Sequence, residues 1–149
     1  MIYEIESHED MGEDFYNLNI KNWEDGDPRK DVFDIDVDRE IYQKMEDLGT
    51  VVLVTARDGD GTLAGYINFF IHEHPHSKGL IQAASDALYV DKEYRGMGVF
   101  KDMLKASEEL LRESYEVSYI SITLREGATK LEGYDKSEVV FSKIMKEKL

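Results

Sequence analysis

The chain has 149 residues, 42% of them hydrophobic, with a formal net charge of −14 and no cysteine, a size and composition that predict one globular domain over residues 1–149. So acidic a surface excludes binding to nucleic-acid phosphates, and the lack of cysteine excludes disulfides, a thiolate nucleophile and Cys-based metal sites. Apolar runs such as Val51-Val52-Leu53-Val54 are too short to cross a bilayer, and Met1–Glu6 lacks the basic start of a signal peptide, so the expected setting is the cytoplasm.

The charge is unevenly spread. Residues 1–50 hold 16 Asp and Glu against 5 Lys and Arg, a net of −11, whereas residues 51–149 hold 16 against 13, a net of −3. A solvated, solubilising surface accounts for such an excess, and so does an acidic lip that attracts a cationic substrate.

In chain order, Met1–Ser7 alternates apolar and polar residues as a first strand does. Met11, Phe15 and Leu18 share a helical face, with Tyr16, Ile20 and Trp23 beside them, and Asp25-Gly26-Asp27-Pro28 ends that helix. Val37, Ile41, Met45 and Leu48 form a second helical stripe stopped by Gly49. Val51–Ala56 reads as a buried strand, Asp58-Gly59-Asp60-Gly61 as a tight turn and Leu63–Ile71 as the returning strand. Strand Ala83–Val90, helix Val99–Glu113, strand Val117–Leu124 and a closing strand Glu138–Met145 follow. The order β-α-α-β-β-β-α-β-β predicts antiparallel hairpins and then a right-handed parallel crossover, a mixed α/β sheet.

The stretch that carries chemistry runs from Asp86 to Leu104: a strand, a loop with two glycines, and the start of an amphipathic helix. A helix N-terminus offers unpaired N–H groups and a positive dipole end, which suit phosphate. Gly96 and Gly98 let an anion approach the backbone and permit positive φ. Lys92, Arg95, Lys101 and Lys105 make this the one locally basic patch in an acidic chain. It is not a P-loop, since no Gly-Lys-Ser/Thr follows, and Lys101 stands where a dinucleotide fingerprint has its third glycine.

Leu88-Tyr89-Val90-Asp91-Lys92-Glu93-Tyr94-Arg95-Gly96-Met97-Gly98 resembles the acetyl-CoA signature of the GNAT superfamily of N-acetyltransferases, Arg/Gln-x-x-Gly-x-Gly/Ala. Gly133-Tyr134 and the segment to Met145 resemble that family's closing hairpin and strand. The resemblance implies a twisted mixed sheet with helices on both faces, splayed between its fourth and fifth strands, Ala83–Val90 and Val117–Leu124. It implies acetyl-CoA as cosubstrate, bound by Leu88, Tyr89, Val90, Arg95, Gly96, Met97, Gly98, Val99, Phe100 and Lys101. Acetyl transfer would go to an amine, a cationic small molecule or a basic peptide, by direct attack on the thioester, with backbone N–H groups near Leu88 to Val90 holding the oxyanion. A GNAT-fold CoA-binding protein without catalysis, a sensor or inhibitor module, is the alternative. The resemblance also allows a homodimer through an edge strand.

Two departures stand out. Phe100 replaces the last small residue of the signature. The tyrosine that protonates the leaving thiolate in many members has no counterpart, because Ala128 or Thr129 falls at its place. The catalytic candidates are Asp86 as base, Tyr134 as substitute acid and His72 on the substrate side. Against them stand a bulge-capping or solvated carboxylate at Asp86 and a core aromatic at Tyr134. His72, His74 and His76 have a spacing that can bind a metal on a sheet, but Pro75 interrupts the strand and no cysteine accompanies them, so no metal site is expected and a loop after the strand accounts for them. Tyr16, Trp23 and Tyr42 read as packing between helix and sheet rather than as a cage for a cation.

Overall fold

A computed structural model describes residues 1–125, 127–128 and 130–145. Its elements are β1 (Ile2–Glu6), α1 (His8–Met11), α2 (Glu13–Glu24), α3 (Arg39–Asp47), β2 (Val51–Arg57), β3 (Leu63–Glu73), β4 (Ile81–Val90), α4 (Val99–Tyr115) and β5 (Tyr119–Ser121), with a 3₁₀ turn at Lys92–Tyr94. The five strands form one mixed sheet in sequence order. β1 to β4 are antiparallel to one another, and β4 is parallel to β5. Helices cover both faces, as the sequence predicts.

Alternation along the strands supplies two cores. Val52, Val54, Ile67, Phe69 and Ala83 face α4, where Val99, Met103, Leu104 and Leu111 close over them. Leu53, Leu63, Tyr66 and Tyr89 face the other way, onto Met11, Phe15, Tyr16 and Leu18. Phe15, Tyr66, Phe69 and Met103 are fully buried, each such side chain stabilising the fold by about 1.5–3 kcal/mol.

The predicted single helix from Met11 onward is divided. Gly12, at φ 54°, ends α1 and starts α2. Asp38 caps α3 by accepting from Ile41 N. The stripe expected to bury α3 does so only in part: Val37 packs on the core and Met45 is half-buried, but Ile41 is 53% and Leu48 77% exposed, and Tyr42 packs inward. The reason is a polar anchor on the same helix. Glu46 accepts from the backbone N of His8 and from its Nδ1, each at 3.2 Å, which turns the Tyr42–Glu46 side of α3 to the sheet.

The strand expected at Val117–Leu124 is shorter, and the strand expected at Glu138–Met145 is absent. A strand exists only by pairing, and beyond Ser121 the chain leaves the sheet toward α2. There Arg125 Nη2 donates to Asn22 O at 2.7 Å and Asn22 Oδ1 at 2.6 Å. Val139, Val140, Phe141 and Met145 are accordingly exposed.

His8 is 3% exposed and lies between the rings of Phe15 and Tyr42, at 5.0 and 4.5 Å. With Nδ1–H donating to Glu46, Nε2 is left buried with no partner among the described residues. Burial therefore holds its pKa below the ordinary 6.5, against the opposing pull of Glu46. A neutral folded histidine contributes stability that is present above its unfolded pKa and lost as pH falls below it. Chemical denaturation from about pH 7.5 to 5.5 should show a loss of about 1.4 kcal/mol per unit of depression. His8→Phe should flatten that slope, and equal slopes would refute the assignment.

Candidate active site at the β4 splay

The site begins with one inserted residue. Asn68 pairs with Ala87 and Phe69 with Ser85, so Asp86 is the extra residue of a β-bulge. Before it, Ala83 packs on the α4 side; after it, Leu88 and Val90 do so, while Ala87 and Tyr89 pack on the α2 side. The insertion thus shifts the alternation by one, and Asp86 and Ala87 open together onto the α2–α3 side. They line a cleft of about 290 Å³ whose other walls include Asn22, Trp23 and Tyr42.

This cleft is acidic. Asp27, Asp34, Asp36 and Asp86 line it, with Arg29 as its one basic residue among the described residues. Asp27 occupies that arginine in a bidentate pair, 2.9 Å to Nε and 2.7 Å to Nη2, and the guanidinium lies 5.2 Å over Trp23. Burial pushes the Asp86 carboxyl up from its ordinary value, while a hydrogen bond from Asn68 and the charge of Arg29 pull it back. Asp86 remains exposed to solvent through the cleft, which limits the rise. Burial, with Asp86 next, pushes the neighbouring Tyr42 phenol up to about 12.

The sheet also opens here. β4 and β5 pair only between Gln82–Ala84 and Tyr119–Ser121, after which Thr123 N donates to Ser85 Oγ at 2.9 Å. From Asp86 to Val90, β4 has no strand neighbour on that side among the described residues. Asp91 N donates to Ala64 O on β3, so backbone alternation turns the N–H groups of Leu88 and Val90 to the open edge.

The glycine loop follows directly. Gly96 and Gly98 have φ of 80° and 79°, the left-handed region where any other L-residue is strained. Gly98 is the N-cap of α4, whose first-turn N–H groups lack intrahelical acceptors. A Cβ on Gly96 would meet nothing within 4 Å, and one on Gly98 only Asp102 Oδ2 at 4.0 Å. The space in front of the helix is open, as an anion site requires. Met97 is 67% exposed. Val99 is buried and Phe100 packs against the α4-side core, so the bulk of Phe100 fills the core and not the loop. Lys101 Nζ lies 3.4 Å from Glu132.

The patch read as basic is largely neutralised. Asp25, at the C-cap of α2, takes Lys92 on Oδ1 at 2.7 Å and Arg95 on Oδ2 at 2.6 Å. It also accepts from the Tyr89 hydroxyl at 3.3 Å. Lys92 first, then Arg95, hold its carboxyl far below the usual carboxylate range. Arg95 Nε donates to Val90 O at 3.0 Å, and Lys21 reaches Asp91 at 2.6 Å. Asp25 was missed in the sequence because nothing local distinguishes it within an acidic helix end.

Other candidates lie apart. Tyr134 packs on the α4-side core and donates to Glu108 at 2.8 Å, which with burial raises its pKa. Asp86 opens on the opposite side of the sheet. His72 is exposed and pairs with Gln82, four residues beyond Asn68 and so about 13 Å along β3. His74 Nδ1 accepts from His76 N at 3.2 Å. Ala128 sits in an exposed turn, and Thr129 lies outside the described residues.

Residues 12–131 match the model of the acetyltransferase (GNAT) family. The chain belongs to the GNAT family. It is an acetyltransferase by that membership, and the matched residues include the strand–loop–helix from β4 to α4. No curated protein sequence matches it. Among solved structures it is similar to a ribosomal-protein-alanine N-acetyltransferase from Brucella melitensis biovar Abortus 2308, at 16% identity and TM-score 0.64 over 95% of this chain and 100% of that one. An aminoglycoside acetyltransferase from an uncultured soil metagenomic sample gives 17% identity and TM-score 0.70 over 96% and 95%. Glucosamine-6-phosphate N-acetyltransferase from Arabidopsis thaliana gives 13% and 0.66 over 98% and 100%. At these identities the likeness speaks for the fold.

The network around Asp25 generates a prediction. Asp25→Asn keeps the shape but removes the charge that holds Lys92 and Arg95. Amide hydrogen exchange in residues 92–98 should become several-fold faster, with the interior of α4 unchanged. Unaltered exchange in the loop would show that the ion pairs do not hold it.

Proposed function

We propose that this GNAT protein transfers the acetyl group of acetyl-CoA to a cationic amine docked in the acidic cleft. The observation that carries the reading is a coincidence in space: the acidic cleft opens at Asp86 and Ala87, on the same stretch of β4 whose edge is free. The residues present suit the cosubstrate. The glycine loop and the first turn of α4 offer backbone N–H groups and open space to a pyrophosphate, and the free edge of β4 offers the N–H groups of Leu88 and Val90 to a thioester carbonyl.

An ammonium entering the cleft must lose a proton before its nitrogen can attack. Asp86 is the base, directly or through one water, and its raised pKa improves the match to that task. The neutral nitrogen then forms a bond to the acetyl carbon, the C–S bond breaks, and the second nitrogen proton goes to the departing thiolate. Acceptors bearing phosphate, such as the one named for the Arabidopsis protein, would meet four aspartates, whereas amino groups of the kind carried by aminoglycosides would be attracted. One observation favours the alternative of a CoA-binding protein without catalysis: Tyr134, the substitute acid, is engaged by Glu108 on the other face. Thiol release on mixing with acetyl-CoA and a panel of amines separates the two, since the non-catalytic protein would bind acetyl-CoA and release no thiol.

Gly98→Val places a branched side chain at φ 79° in front of the helix. Calorimetry should show acetyl-CoA binding weakened tenfold or more, about 1.4 kcal/mol, with helical content little changed. Unaltered affinity in the folded variant would reduce the loop to a turn.

Attraction by the cleft should also be screened by salt. With a cationic acceptor, kcat/KM should fall several-fold between about 0.05 and 0.5 M NaCl, while kcat changes little. A best acceptor that is neutral or anionic, with salt-independent kcat/KM, would refute the cationic reading.

A further inference from the structure

Asn68 is the polar exception in β3. Its neighbours in Leu63–Ile71 are apolar or glycine, it is fully buried, and asparagine is disfavoured in strand interiors. It stands beside the bulge on the face that carries Tyr66, pairing with Ala87. Its Nδ2 donates to Asp86 Oδ2 at 3.3 Å, and its Oδ1 has no partner among the described residues. A buried amide whose carbonyl oxygen has no partner costs stability, so its place at the bulge calls for a reason.

We infer that Asn68 is the positioning residue of Asp86, aiming its carboxyl into the cleft and serving it in both protonation states. The chemistry of the amide supports this. A carboxylate only accepts, and the Asn68 NH₂ donates to it. A carboxylic acid has a proton to place, and Oδ1 can accept it after rotation of the amide. A backbone N–H in its place could only donate. The bulge completes the arrangement, because without the inserted residue Asp86 and Ala87 could not both open toward the cleft and across from Asn68.

The other charged and titratable groups around Asp86 are Arg29, Tyr42 and Tyr66, with Asp27, Asp34 and Asp36 along the same cleft. Of these, the tyrosine hydroxyls can also donate and accept, but the side chain that hydrogen-bonds Asp86 is Asn68. The inference rests on Asp86 as base, so the experiment reads the two separately.

In the unmodified protein, the Asp86 carboxyl carbon and the side-chain NH₂ of Asn68 should titrate with one common midpoint by NMR. Asn68→Leu, which keeps the volume and loses the donor, should raise the Asp86 midpoint by about one pH unit and move the acidic limb of the kcat/KM profile with it. Activity well on the acid side of the original limb should fall about tenfold. Asn68→Asp, which keeps the shape, should move both further by placing a second carboxylate beside the first. If Asn68 does not titrate with Asp86 in the unmodified protein, or the midpoint stays fixed in either variant, the inference is overturned. If the midpoint moves and the rate limb does not, Asn68 does position Asp86 but Asp86 is not the base.

Discussion

Everything at the site depends on β4 having a partner on one side only through its second half. A strand in the middle of a sheet uses both edges of its backbone, and its side chains alternate without exception. β4 breaks both rules at one place. The extra residue at Asp86 shifts the alternation, so an acidic side chain and its neighbour both point to the α2 side. At nearly the same level β5 departs after three paired residues. The result is one short stretch of backbone with a carboxylate on its face and unused N–H groups on its edge. Such N–H groups cost free energy if buried without partners, so an open edge persists only where it meets solvent or a ligand.

Helix α2 ties this stretch to its surroundings. Its last turns present Asn22 and Trp23 to the cleft, while Lys21 and Asp25 hold the loop before α4 through Asp91, Lys92 and Arg95. Arg125, beyond β5, grips the same helix at Asn22, whose Nδ2 in turn donates to the buried Tyr66 hydroxyl at 3.0 Å. Single exposed ion pairs contribute little. Here one carboxylate is shared by two cations from the segment that follows β4 and a phenol near the end of β4 itself, and a shared network fixes geometry better than separate pairs do. The acceptor wall and the cosubstrate loop therefore belong to one connected piece of structure.

How much of this the sequence discloses follows from the range of each interaction. Strands β1 to β4 and helix α4 are written in local periodicity, and the two glycines of the loop are local demands of backbone geometry, so both can be read directly. Asp86 stands out as an acid in an apolar strand, but the bulge that aims it is a matter of register between two strands, to which composition is blind. Asn68 left a faint signal as the lone amide in an apolar run. Asp25 left none, because its meaning lies in residues 67 and 70 positions away. The face of α3 was misread for the same reason: the Ile41 stripe obeys the helical period, but Glu46 reaching His8, 38 residues earlier, decides which side turns inward. The closing strand at Glu138–Met145 had the right residue types and lacked only a partner, which no single segment can supply.

The concentration of charge in the first third then acquires a structural meaning. Like charges gathered in one place repel, and a fold bears that cost most easily where water is plentiful. Much of the excess does sit on exposed helix surface. Yet Asp27, Asp34 and Asp36 come from the segment between α2 and α3 and converge on a cleft that Asp86 enters from β4, 50 residues further along the chain than Asp36. The segment holds Arg29 and Lys30 as well, Arg29 paired with Asp27 and Lys30 turned to the Glu24 carbonyl, and the cleft wall keeps an acidic excess. A surface made acidic only for solubility has no need to line a concave wall. Nor does it need to surround a carboxyl whose proton affinity burial has raised. Convergence of this kind orients an ammonium and keeps near it a group able to take its proton.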